Sequence, residues 1–537
     1  MKRVALALAL SLLAGCRSPA PGRVVPPARP RLVVLLVIDQ LPSWMFERDR
    51  ALFTGGLGRL LREGAYVRHG ELPYANTFTA PGHAMIGTGA TPNLHGVVGN
   101  QWWRRAEQRE QPAERDLSSP ILSLDPLGKE LPADLGASSR ALRIGGVADA
   151  LRVATHDRGR TISIGLKARA ACFLAGKQPE LAVWYEPLAG GMTTSAAYAS
   201  VAPPWLQQLA RIRPASRFVG QTWLPLDAAL LAKHTGIRDD AAGEGALHGL
   251  GVAFPHLVHD AEELVHTPFA DEIVMDTALA ALDPMQLGAD DVPDLLAISF
   301  NAHDYAGHNW GPDSWETLDL MLRLDASLGA LFSELDRRVG PDGWAAVLTS
   351  DHGATPLPER STVPGAKRLP PADIAAAGGA LVAKVSSDEV FMTPAWGALP
   401  PGEQHAALVA AASSIRAAFP ELDVFESADT SHCAEPGLAG DVCRAIVPGE
   451  SGELYLAPHR GFVITEYKTG THHDAPNPDN QQVPILVRAP GLRPQTIERA
   501  SSLQIAPTVA ALLGVPPPPA ATAAPLFGIG ARPPARP

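Results

Sequence analysis

The sequence predicts an α/β protein with a mostly parallel central sheet sandwiched between helices and capped by insertions. Three observations predict it. Apolar runs of strand length recur along the chain, helical patterns lie between them, and four of the runs end in residues that bind metals or anions. The runs are Leu32–Ile38, Thr161–Leu166, Leu295–Phe300, Ala345–Thr349 and Pro484–Val487. Strands buried on both faces need no polar alternation, which is how these runs read. Val147–Ala154 and Ser314–Val339 carry apolar residues at helical spacing. Strand–helix alternation makes neighbouring strands parallel and puts helices on both faces. No internal repeat is visible.

At 537 residues the chain exceeds the ~250–300 at which one simple core stops growing. One large domain with insertions, or two domains, is therefore expected. The stretches 175–270 and 360–460 are irregular and hold much Trp, Pro and Gly, so they read as insertions capping a main domain of 31–515. The 46% hydrophobic and 19% charged fractions exclude a disordered chain. The net charge of -11 excludes a general nucleic-acid binder, which must neutralise phosphates. Four cysteines exclude a disulfide scaffold and a Cys-rich zinc module.

The N-terminus reads as an export signal over residues 1–15. Lys2 and Arg3 precede the apolar run Val4–Leu13, which is too short to span a bilayer. Leu13, Ala14, Gly15 and Cys16 resemble a bacterial lipobox, so an exported lipoprotein of the periplasm or cell envelope is expected, anchored only through its lipid. Arg17 after Cys16 favours the outer membrane. Residues 16–30 read as a Pro-rich tether and 516–537 as a Pro/Ala-rich tail that wraps the surface or is disordered. Export permits a small loop closed by Cys433 and Cys443, and Cys172 then reads as a buried small hydrophobe.

In open α/β sheets chemistry gathers at the carboxyl ends of the strands. Asp39 follows the first run, Lys167 and Arg169 the second, Asn301, His303 and Asp304 the third, and Asp351 and His352 the fourth. Asp304 and His308 are spaced i, i+4 and share a face of any helical turn. With either His472 or His473, these residues make six good ligands, enough for two divalent ions. Taken singly each has a plain structural role: Asp39 as a helix cap, Asp304 and His308 as a surface pair. Packing alone does not end four strands in ligands. Thr79, within Asn76–Ala84, is a hydroxyl at a predicted helix N-terminus, a position suited to capping and to phosphate contact.

The ordered set resembles the alkaline phosphatase superfamily, most closely the PafA-type alkaline phosphatases with a threonine nucleophile. The segments that carry the resemblance are VVLLVIDQL around Asp39, TFTAPGHAMIGTGATPNLHGVVGNQWW from Thr77, SIGLKARAACFLAG around Lys167, WYEPLAGGMTTSAAYASVAPPW from Trp184, NAHDYAGH ending at His308, SDHGATP from Ser350 and GTHHDAPNPDNQQVPILV from Gly470. They span about residues 31–515 in family order. The resemblance implies an alkaline phosphatase-like fold and phosphate monoester hydrolysis of broad range, serving phosphate scavenging, through a covalent phosphothreonine. It implies two zinc ions per chain, though the ligand set admits Mn²⁺ or Co²⁺. Asp304, His308 and His473 would hold one ion and Asp39, Asp351 and His352 the other. His473 is taken over His472 because the family pattern reads Gly-Thr-x-His. Asp474 departs from the Gly common after that histidine.

The resemblance also assigns Asn100, Lys167 and Arg169 to the phosphoryl oxygens. On a strand-like segment, positions i and i+2 such as Lys167 and Arg169 face the same way. A monoester dianion leaves two anionic oxygens that want such partners, so a monoesterase is expected ahead of the alternative, a phosphodiesterase or nucleotide pyrophosphatase on the same core. A sulfatase is disfavoured because there is no Cys-x-Pro-x-Arg segment. Lys167 argues against a third metal ion. A monomer acting on small-molecule phosphate monoesters is expected. His83, His95, Trp102 and Trp103 read as structural.

Overall fold

A computed structural model describes residues 29–125, 130–246 and 249–529. The export signal and nearly all of the tether lie outside the described residues. At the centre is a nine-stranded sheet. Its strands are β1 (Leu32–Ile38), β2 (Ala65–Glu71), β3 (Thr161–Gly165), β4 (Leu181–Glu186), β5 (Gly191–Thr193), β6 (Asp294–Phe300), β7 (Trp344–Thr349), β8 (Gln482–Arg488) and β9 (Gln495–Ser501). Their order is β9-β2-β8-β7-β1-β6-β3-β4-β5. The block β7-β1-β6-β3-β4 is parallel, with Leu35 of β1 between Ala297 and Val347. The expected α/β sandwich is what forms. Two strands, β4 and β5, come from residues 181–193, inside the stretch read as a cap.

The physical reason is visible in β1, whose seven residues are all buried. Leu32, Val34, Leu36 and Ile38 pack into one core, and Val33, Leu35 and Val37 into the other. The first is covered by helices such as Pro268–Ala281 and Trp315–Val339, the second by Val147–Thr155 and Ile505–Leu513. A second sheet of four strands, from Val382–Ser386, Glu389–Met392, Leu422–Glu426 and Leu454–Pro458, carries its own apolar cluster under helix Pro401–Ala418. Cys433 and Cys443 form a disulfide. Cys172 is a buried thiol whose pKa burial pushes up. Leu526 of the tail is buried, its N–H donating to Thr508 Oγ1 at 2.8 Å. Among the described residues no helix is long and apolar enough to cross a membrane.

One buried carboxylate pins the long helix to the start of helix Gly56–Glu63. Asp325 accepts the N–H groups of Thr54, Gly55, Leu57 and Gly58 at 2.6–3.3 Å. Asp325→Ala strips four donors of their acceptor at a buried site, at a cost of about 3 kcal/mol. The expected result is a thermal midpoint lowered by several degrees with turnover at 25 °C retained. An unchanged midpoint in a melting scan would show that the loop finds other acceptors.

Candidate active site

The sheet topology explains why distant residues meet. β7, β1, β6 and β3 are parallel neighbours, so their carboxyl ends share one edge. Asp39, Lys167, Asn301 and Asp351 follow those ends within a few residues. β8 runs antiparallel to β7, so the loop that precedes it reaches the same edge with His473. β2 is antiparallel to β8, and the segment after it arrives there with Thr79.

Two groups of three donors result. Asp304, His308 and His473 place one donor atom each within 4.8 Å of one another, and so do Asp39, Asp351 and His352. Asp304 and His308 lie on helix Ala302–Trp310, which supplies the expected shared face, with His308 Nε2 at 3.3 Å from Asp304 Oδ1. His473 Nε2 is 3.6 Å from the same oxygen. In the second group His352 Nε2 lies 3.3 Å from Asp39 Oδ1 and 3.4 Å from Asp351 Oδ2. His472 is outside both groups.

The donor chemistry suits divalent cations. His308 Nδ1 faces Thr471 O at 2.8 Å, His473 Nδ1 faces Thr77 O at 2.6 Å and His352 Nδ1 faces Gly353 O at 3.0 Å. A carbonyl accepts only from Nδ1–H, which leaves each Nε2 lone pair for a metal. Asp39 Oδ1, Asp351 Oδ2 and His352 Nε2 are buried without a hydrogen-bond partner. Three protein ligands per ion leave a further position open, as catalytic rather than structural sites do.

Lys167 Nζ donates to Asp39 Oδ2 at 2.8 Å and to Asp304 Oδ2, joining one carboxylate of each group. Burial alone would lower its pKa, but Asp304 and Asp39 outweigh burial and hold it above the usual lysine range. Burial raises the pKa of Asp39, and Lys167 and His352 more than reverse this. His352 is likewise disfavoured as a cation by burial, yet Asp351 and Asp39 bring it to about 9.

The expectation that Lys167 and Arg169 share a strand is corrected. Strand β3 ends at Gly165, Lys167 caps a helix and Arg169 is the second residue of that helix, Ala168–Leu174. Leu166 and Lys167 give their N–H groups to Asn301 Oδ1 rather than to a neighbouring strand. Asp39 and Asp304 still hold up the pKa of both cations, in Arg169 after burial, which lowers it, and Glu114, which raises it more.

Thr79 opens helix Thr79–Thr88 and is fully buried, its Oγ1 without a partner. The groups flank it through its neighbours. Thr77 Oγ1 donates to His473 O at 2.5 Å, while His83 Nδ1 lies 2.8 Å from Thr79 O and 3.1 Å from Asp351 Oδ2. Gly82 is required for this approach, because a Cβ there would sit 2.5 Å from Asp351 O. Ala80 N–H donates to Asn100 Oδ1 at 2.8 Å, which leaves Asn100 Nδ2 as the donor. His83 therefore braces the site, and His95 is buried, its pKa pushed down to about 3 by burial.

Sequence reasoning missed Gln40. Its Nε2 donates to Asp304 Oδ1 at 2.8 Å and its N–H to Asp351 Oδ1 at 3.2 Å, so it touches both groups. It does so at φ 62°, a region costly for a residue with a Cβ. No local signal marked it: its close partner is the distant Gly307, where a Cβ would meet Gln40 Oε1 at 1.9 Å.

A parallel α/β sheet with paired donor clusters at its carboxyl edge is the build of the alkaline phosphatase superfamily. Within it, the chain belongs to the type I phosphodiesterase / nucleotide pyrophosphatase family, whose model matches residues 33–482. Alkaline phosphatase PhoV of Synechococcus elongatus is 29% identical over 513 residues, covering 91% of this chain and 90% of PhoV. Alkaline phosphatase PafA of Elizabethkingia meningoseptica is 27% identical over 516 residues, covering 91% and 92%. The crystal structure of wild-type PafA matches with a TM-score of 0.85 at 26% identity, over 94% of this chain and 100% of that one.

Proposed function

We propose that this protein is an alkaline phosphatase that hydrolyses phosphate monoesters through a phosphothreonine at Thr79, with two zinc ions in the paired clusters. Relatives named alkaline phosphatases, similar over nine-tenths of the chain, support the activity. The observation that carries the mechanism is the buried, unpartnered Thr79 hydroxyl, whose neighbours Thr77 and His83 touch one residue of each three-donor cluster.

Asp304, His308 and His473 would hold one ion and Asp39, Asp351 and His352 the other. When bound, two such ions supply positive charge that favours the ionised hydroxyl and the departing ester oxygen. Thr79 Oγ1 attacks phosphorus, the bond to the ester oxygen breaks, and the alcohol leaves. Water then attacks phosphorus in line from the opposite side and frees Thr79 and phosphate. Lys167, Arg169 and Asn100 Nδ2 hold the non-bridging oxygens, where charge spreads in a loose transition state. The guanidinium fork fits two oxygens at once, and the lysine acts as a point charge beside it.

The family's description favours a second reading, phosphodiester or pyrophosphate hydrolysis on the same core. Two cations at the phosphoryl site weigh against it, because a diester has one anionic oxygen fewer to satisfy. The lipobox-like segment ending at Cys16 supports a lipid-anchored place in the cell envelope.

Chelation tests the metal half of the proposal. Exhaustive dialysis against a chelator is expected to abolish nitrophenyl phosphate hydrolysis, and about two equivalents of Zn²⁺ per chain to restore it. Full activity in protein shown by elemental analysis to be metal-free would refute it.

A further inference from the structure

A cavity of about 780 Å³ opens on the ribbon that follows Asn100 and plays no part in the mechanism above. Six arginines line it (104, 105, 109, 115, 140 and 143) against three acids, Glu107, Asp116 and Glu450. In a chain of net charge -11, a concave surface with surplus positive charge concentrates anions. The arginines differ in what they already hold. Arg104 is paired with Glu450, Arg105 with Glu453 at 2.7 Å and Arg109 with Glu107 at 2.8 Å. Arg140 is exposed and reaches Asp116 only at 3.5 Å. Among the described residues, Arg115 and Arg143 have no carboxylate partner, and Arg115 Nε is buried with nothing to donate to. Gly96, at φ 88°, makes room for the Arg143 stem, where a Cβ would meet Arg143 Cγ at 2.5 Å.

The cavity is built on the ribbon that leaves the active site. Asn100 is followed directly by strand Gln101–Arg104, paired with Arg109–Pro112, and Ala113 N–H returns to Asn100 O at 2.9 Å. Glu114 acts on Arg169 while its neighbour Arg115 lines the cavity. Ala113 meets Asn100 directly and Arg115 lies two residues on, at most about 7 Å further along the chain, within the span of a small sugar between two phosphates. We propose that this cavity is a second anion subsite, receiving a second phosphate group carried by the same substrate molecule, with Arg115 and Arg143 as its free donors. The subsite deepens the phosphatase reading and rests on it. It makes bisphosphate esters the preferred class.

The test compares nitrophenyl phosphate, fructose 6-phosphate and fructose 1,6-bisphosphate at fixed ionic strength, in wild-type protein and in Arg115→Gln/Arg143→Gln. Wild type is expected to favour the bisphosphate over the monophosphate by about tenfold or more in kcat/KM, the worth of one charge-assisted hydrogen bond. The double variant should lose that advantage through KM and keep nitrophenyl phosphate turnover within about twofold. No bisphosphate advantage in wild type, or an equal loss on all three esters, would overturn the subsite. Failure of the phosphatase reading shows separately, as no turnover of nitrophenyl phosphate. Binding then decides: calorimetric titration of Thr79→Ala protein should give a bisphosphate Kd raised about tenfold by the two substitutions, and an unchanged Kd overturns the proposal. If the substitutions remove a site for inorganic phosphate and the bisphosphate has no advantage, the cavity holds a separate anion, which also overturns it.

Discussion

Thr79→Ala is expected to lower kcat/KM for nitrophenyl phosphate by about 10⁴-fold, equivalent to about 5.5 kcal/mol of transition-state stabilisation. On the proposed mechanism alanine removes the atom that would bond to phosphorus and leaves the clusters and the proposed phosphoryl contacts in place. The Thr79 side chain makes no hydrogen bond that holds the fold, since its Oγ1 is without a partner. The melting temperature should therefore stay near that of the parent. Thr79→Ser keeps the hydroxyl and should keep turnover within about 10²-fold. Intact-mass measurement after acid quench should find a phosphoryl group on the parent and none on the alanine variant. An alanine variant as active as the parent would mean that water attacks the ester directly.

Arg169→Ala is expected to cost about 10²–10³-fold on a monoester and much less on a diester, since in the proposed role it supplies the donor for an oxygen that a diester has esterified. Lys167→Ala should show the same bias. Arg169 gives the cleaner experiment, because Lys167 also holds Asp39 and Asp304 together. In the parent these carboxylates lie against a cation, so removing Lys167 changes their mutual repulsion as well as the phosphoryl contact. Equal losses on monoester and diester would remove Arg169 from the phosphoryl site.

How much of this was legible in the sequence follows from where each residue sits. β1, β6 and β7 were readable because both faces are buried, which makes unbroken apolar runs. β9, reading QTIERAS, was not, because it lies at the sheet's edge and is largely exposed. β2 was missed for a related reason: AYVRHGE loses its apolar run after Val67 and bulges away from β8 there. Asp39, Asp304 and Asp351 stood out because parallel neighbours end at one edge. His473 did not follow from that rule, since it precedes an antiparallel strand; family pattern alone separated it from His472. The segment Lys167-Ala168-Arg169 was misread as strand because the Lys167 N–H is taken by Asn301, a contact 134 residues away in sequence, and the chain turns into a helix from Ala168. Gln40 escaped notice because its role depends on a strained backbone and on the bare face of Gly307, neither of which has a local pattern.

The most direct test of the central claim is one ratio in the wild-type protein. The soluble form lacking residues 1–16, loaded with zinc, should hydrolyse nitrophenyl phosphate at least about 10²-fold faster in kcat/KM than bis-nitrophenyl phosphate. A ratio in the opposite direction would contradict the account. It would mean that Lys167, Arg169 and Asn100 do not serve the two anionic oxygens of a monoester, and that the protein is a phosphodiesterase on the same core.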